Sequence, residues 1–193
     1  MGFSMQFFRK SDLFLPLTAL LLWMLTAVVP AQAEGVKVNH ASIYVSEEGQ
    51  YLDADFSLEL TPVLEDALNR GVSLTFNISL EVLEPRWYWF NKELIHFQQD
   101  RRLSFNPLTR TYRFSIGSLY LSFGTLEDAL QALTHLNHMR LAEAARLSKG
   151  GHYEASLQMK LDVSQLPKPF QLDAISNSDW NLVSRPMNWT VKP

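Results

Sequence analysis

Three stretches of the chain alternate between apolar and polar side chains almost without error. In QYLDADFSLEL, Leu52, Ala54, Phe56, Leu58 and Leu60 fall on one side, and Asp53, Asp55, Ser57 and Glu59 on the other. In VSLTFNISLEVLE the apolar side is Val72, Leu74, Phe76, Ile78, Leu80 and Val82. In HYEASLQMKLDV it is Tyr153, Ala155, Leu157, Met159, Leu161 and Val163. A period of two sends successive side chains to opposite faces of a strand. One buried and one wetted face is the mark of antiparallel sheets, because parallel sheets are usually covered on both sides. Weaker strands are expected over 36–45, 86–97, 101–105, 110–116, 119–123 and 180–191. Pro186 places the last of these at a sheet edge or breaks it there.

Two segments carry a helical pattern instead. TLEDALQALTHL puts Leu126, Ala129, Leu130, Leu133 and Leu136 on one face, with Thr125 as N-cap and Asp128 near the N-terminal amides. TPVLEDALNRG offers Thr61 as N-cap, Pro62 at the first helical position and Gly71 as a stop. Seven to nine strands and two or three short helices make a mainly β domain. One-sided sheets must hide their apolar faces, and so few helices cannot cover them all. A second sheet is the economical cover, so the expected fold is a β-sandwich of antiparallel sheets. The alternative is an α+β curved sheet wrapped around the Thr125 helix.

The N-terminus changes where this domain is expected to work. Arg9 and Lys10 precede an apolar stretch from Leu13 to Val29, which is followed by Ala31-Gln32-Ala33. A positive start, an apolar run and a small-x-small site make a secretory signal peptide, with cleavage between Ala33 and Glu34. The expectation is a periplasmic domain over 34–193. The alternative is an uncut N-terminal anchor in the inner membrane, although 17 residues is short for a span. Membrane contact is then expected only through an uncleaved signal. Residues 34–193 keep all but Arg9 and Lys10 of the 17 Lys and Arg, and all but Asp12 of the 20 Asp and Glu, for a net charge of −4. That balance argues against nucleic acid. The chain has no cysteine, so stability rests on the core and no lipid is attached through a thiol.

Two places stand out as candidate binding features. WYWF, residues 87–90, is the densest aromatic run. In a strand, Trp87 and Trp89 point one way and Tyr88 and Phe90 the other. Such a run either fills a core or leaves one pair exposed as a partner or ligand site. The second place is the hairpin DRRLSFNPLTRTYRFS. A turn at Asn106-Pro107-Leu108-Thr109 pairs Phe105 with Arg110 and sets Arg102 opposite Arg113. Like charges across a strand pair repel. They are tolerated on a solvated face with Asp100 or Glu154 nearby, or where they await an anion or an acidic partner.

Catalytic chemistry is not nominated by any motif. There is no cysteine nucleophile, G-x-S-x-G elbow, S-x-x-K pair, H-E-x-x-H or phosphate-binding glycine loop. His135 and His138 lack a third ligand at metal spacing, and Asp53-Ala54-Asp55 lacks the glycine of a calcium loop, so no cofactor or metal is expected. SQLPKPFQL reads as an extended, proline-stiffened crossover.

RRLSFNPLTRTYRFS, SFGTLEDAL, SQLPKPFQLDA, DWNLVS and the final Trp189, in this order, resemble the DUF 4390 family of exported proteobacterial proteins of unknown function. The resemblance implies an export signal and one β-rich domain. It also implies genes near those of a nitrogen-regulation-type sensor kinase, and hence an envelope protein or membrane sensor as partner. It brings no catalytic residues. The expected function is therefore a non-enzymatic periplasmic interaction domain working through sheet surfaces and edges. A carrier of an apolar ligand such as a lipid, using Trp87, Trp89, Phe90 and Phe97, is the alternative. A hydrolase with scattered acids comes last.

Overall fold

In a computed structural model, Met1–Ala33 and Glu34–Pro193 separate into two units. The structure describes residues 35–88, 90–141, 147–148 and 150–192. The cleavage-site residues Ala31, Ala33 and Glu34, and Trp89 of the aromatic run, lie outside the described residues.

Two antiparallel sheets make up the domain, as the alternation requires. The smaller has the order β1-β2-β7, with β1 at Val36–Ser46, β2 at Gly49–Leu58 and β7 at His135–Arg140. The larger has the order β6-β5-β4-β3-β8-β9. Its strands are β3 (Leu74–Glu84), β4 (Lys92–Asn106), β5 (Thr111–Ile116), β6 (Leu119–Phe123), β8 (Tyr153–Leu161) and β9 (Met187–Val191). The inner faces of both sheets feed one core. Leu52, Ala54, Phe56 and Leu58 come from β2, Phe76, Ile78, Leu80 and Val82 from β3, and Leu157, Met159 and Leu161 from β8. Each fully buried Leu, Ile or Phe there contributes about 1.5–3 kcal/mol.

Three short helices complete the fold. Helix α1 (Pro62–Asn69) starts at Thr61, whose hydroxyl accepts the Leu64 amide at 3.3 Å. Gly71, at φ 90°, sits where the chain turns out of it. Helix α2 (Leu126–Thr134) starts at Thr125, whose Oγ1 accepts the Asp128 amide at 3.2 Å. It packs on β5, β4, β6 and β2, closing the core where the small sheet ends. No described helix is long and apolar enough to cross a membrane.

Several expectations are corrected. Strand β4 does not begin at Arg86. The chain turns through Arg86–Tyr88 and enters β4 only at Lys92. Pro85 explains this, since it lacks an amide donor for the ladder. The segments expected at 86–97 and 101–105 are then one continuous strand from Lys92 to Asn106. SQLPKPFQL is not extended throughout. Helix α3 (Lys168–Ser176) follows Pro167, with Pro169 in its first turn, where a missing amide costs nothing. The end of the TLEDALQALTHL pattern is strand β7, since the helix stops at Thr134. Pro186 does interrupt the last strand: Ser178–Trp180 forms a 3₁₀ turn, Val183 bridges Lys160, and β9 starts after Pro186 at the sheet edge.

Candidate functional site

The two edges of the large sheet differ. At one end, β9 is preceded by Pro186 and exposes Asn188 and Thr190, which is how sheets discourage unwanted pairing. At the other end lies β6, LYLSF, with no charge and no proline. Among the described residues no strand pairs with its outer edge. It is joined to β5 through the two-residue turn Gly117-Ser118, in which Gly117 takes φ 55°. By register, Leu119, Leu121 and Phe123 lie opposite Ile116, Phe114 and Tyr112, on the core side of the sheet. Leu119 and Leu121 are nevertheless 63% and 48% exposed. On the other side Tyr120, 61% exposed, carries the Arg113 guanidinium 4.9 Å from its ring centre. The strand thus offers free backbone groups, an apolar side and a cation held over an aromatic.

Arg102 and Arg113 are not opposite one another. The turn is Pro107–Arg110, with Arg110 at φ 52° and Asn106 Oδ1 accepting the Leu108 amide at 3.0 Å. Asn106 therefore pairs with Thr111, which slides the register so that Arg102 faces Ser115 and Arg113 faces Ser104. Arg102 donates to Thr75 Oγ1 at 3.4 Å and to Gln165 Oε1 at 3.3 Å. Gln165 in turn donates to Asp100 and Asp162, so Asp100 is the acid near Arg102. Glu154 sits on β8 opposite Leu83, away from the arginines. The hydroxyl of Ser164 holds Asp162 below the usual carboxylate range. Arg102, Arg70, Thr75 and Gln165 border an open cleft of about 390 Å³. Arg70 is already paired with Asp66 at 2.8 Å.

The aromatic run lies at the tip of the β3–β4 hairpin, beyond the last pair Glu84–Lys92. Trp87, Tyr88 and Phe90 are 94%, 68% and 87% exposed. The exposed reading of this run therefore describes those three residues, while Phe97 is half-buried against the core.

Arg101, beside Arg102, is not among the candidate residues read from the sequence. It points inward and is 2% exposed. Its guanidinium donates to the carbonyls of Leu133 at 2.7 Å and His135 at 3.0 Å, and to Gln99 Oε1 at 3.1 Å. Burial pulls its pKa down to about 10, which leaves it charged at neutral pH. It caps the C-terminus of α2, where the helix dipole favours a cation and the last turn supplies none. The signal for it was the inward parity of 101 with Leu103, which the double-arginine pattern masked.

The histidines are separated by their partners. His135 Nε2 meets Asp55 at 3.1 Å, and His138 stacks on Tyr51 with ring centres 4.0 Å apart. The Asp53 carboxylate accepts the His138 amide at 2.6 Å. Asp53 and Asp55, on the polar side of β2, tie it to β7. Among the described residues no three His, Asp or Glu side chains converge as a metal site.

These features define a class of protein: a two-sheet antiparallel β domain with one open apolar edge and an aromatic hairpin tip. The family model for a domain of unknown function, DUF4390, matches residues 33–190, and the chain belongs to that family. No curated protein and no solved structure matches it.

Proposed function

We propose that the protein is an exported, non-enzymatic interaction domain of the periplasm that receives an extended segment of an envelope partner at strand β6. A membrane sensor is one such partner. The observation that carries this reading is the open edge of β6, with Leu119 and Leu121 exposed on the core side of the sheet. An added strand satisfies the free backbone groups and covers both leucines. Covering the half or so of each leucine that is still exposed adds about 1 kcal/mol apiece. On the opposite side, Arg113 over Tyr120 favours an acidic residue in the incoming segment. The signal-like N-terminus supports export, and the absence of any catalytic motif supports a binding role.

The test is site-specific photocrosslinking from position 120 in intact cells of the host. A discrete partner should be captured by the wild-type edge and lost with Leu121→Lys, which places a charge on the apolar side. An unchanged capture pattern in Leu121→Lys removes strand addition at β6, and no discrete product removes the reading altogether.

A further inference from the structure

We propose that the tip of the β3–β4 hairpin inserts Trp87, Tyr88 and Phe90 into the interfacial layer of a phospholipid bilayer. This is a second contact surface, independent of β6. Among the described residues nothing packs these three side chains into the core. They lie beyond Glu84–Lys92, the last pair of the hairpin; Trp87 and Phe90 stand almost fully in solvent and Tyr88 about two-thirds so. Among the described residues Trp87 and Tyr88 meet each other edge to face at 5.2 Å. Holding that much apolar surface in water is unfavourable unless something else receives it.

Shape and residue type select the receiver. The tip is the end of a two-stranded hairpin, with its described rings exposed, rather than a groove. A protein partner must match such a loop with a fitted pocket, whereas a fluid bilayer takes any compact apolar tip. Tryptophan and tyrosine are the residues that settle at the membrane–water interface, where the ring meets the acyl chains and the N–H or O–H stays among the headgroups. Leucine and isoleucine, the usual currency of protein cores, are missing from 85–91.

Charge narrows the choice of lipid. Arg86 reaches Glu84 at 3.5 Å, and Glu84 also lies opposite Lys92, which is followed by Glu93. Two acids and two bases at the base of the tip cancel, so anionic headgroups have no net charge to hold. Insertion is then driven by the aromatic rings and is insensitive to salt. A register shift between Val82 and Leu83 marks a bulge at the same place, the kind of irregularity that re-aims the end of a hairpin.

Flotation with vesicles of zwitterionic phosphatidylcholine tests this, using the exported protein purified from its host. Wild-type and variant proteins are compared at the same N-terminus, verified by mass, so that any contribution of residues 1–33 is common to both. Wild-type protein should float with the vesicles at low and high salt. Trp87→Ser with Phe90→Ser should reduce the bound fraction about tenfold or more, equivalent to about 1.4 kcal/mol or more. The swap Trp87→Tyr with Phe90→Trp should keep binding, because a bilayer does not read ring shape. The proposal fails if wild-type protein stays unbound, if the double serine variant floats as well as wild type, or if the swap abolishes binding. It also fails if binding requires phosphatidylglycerol and disappears in salt.

Discussion

Two regions on and beside strand β4 invert the usual placement of side chains, and they do so for opposite reasons. In the middle of β4, Arg101 is a buried cation; just before the strand begins, Trp87 is an exposed indole. Arg101 has its explanation within four contacts, since three of its neighbours along α2 and β7 give carbonyls and Gln99 gives an amide oxygen. Among the described residues Trp87 meets Tyr88, which is itself exposed. A buried charge with four internal acceptors belongs to the architecture. An exposed aromatic group with none points outside the molecule. Misplaced residues are therefore informative only after their partners have been traced.

Five variants sharpen this contrast. Arg101→Met should have the largest effect, lowering unfolding free energy by about 3 kcal/mol, because it strips the carbonyls of Leu133 and His135 of their donor. Arg101→Lys should recover part of that loss, since it restores the charge without the fork. Chemical denaturation measures both, and a neutral Arg101→Met would mean that the buried charge is no structural element. Thr125→Ala, at the opposite end of the same helix, should cost about 1 kcal/mol through the lost N-cap, read from the same curves. Asp162 is the surface counterpart of Arg101. Its folded pKa lies below the ordinary 3.8, so its stabilising share is present above that value and is lost as the pH falls through the folded pKa. Asp162→Asn should therefore flatten the acid limb of the stability profile slightly. The smallest effect belongs to Trp87→Ser with Phe90→Ser, within about 0.5 kcal/mol of wild type. A large loss there would show that the tip packs on the protein after all.

The strongly alternating strands were legible because the inner positions of β2, β3 and β8 are buried where the pattern puts them, although Tyr51 and Thr75 on the opposite side are buried as well. Strand β7 was hidden because HLNHMR buries only Leu136 and twists at His138, which takes φ 54°. Helix α3 was hidden for a related reason. It buries no residue, leaving no apolar stripe to read, and its prolines suggested extension although both lie where a helix tolerates them. The arginine hairpin shows how much a turn decides. Moving the loop by one residue moved Arg113 from Arg102 to Ser104 and dissolved the proposed pair. Of the binding features, the composition of the aromatic tip was visible in WYWF, but its exposure was not, because strand and turn readings of that run differ only through Pro85. The open edge of β6 was invisible, since strand order is a property of the whole sheet.

Arg101 also constrains the route by which the chain reaches this fold. Its carbonyl partners at Leu133 and His135 lie 32 and 34 positions further along the sequence. The β3–β4 hairpin, local in sequence, can form early, but closing its inner face before α2 has docked would strand a guanidinium in an apolar interior. Such a half-closed state is disfavoured by the desolvation of an unpaired cation. The buried charge thus ties a closed core to a docked helix, because closure without the helix carries the cost of an unpaired cation.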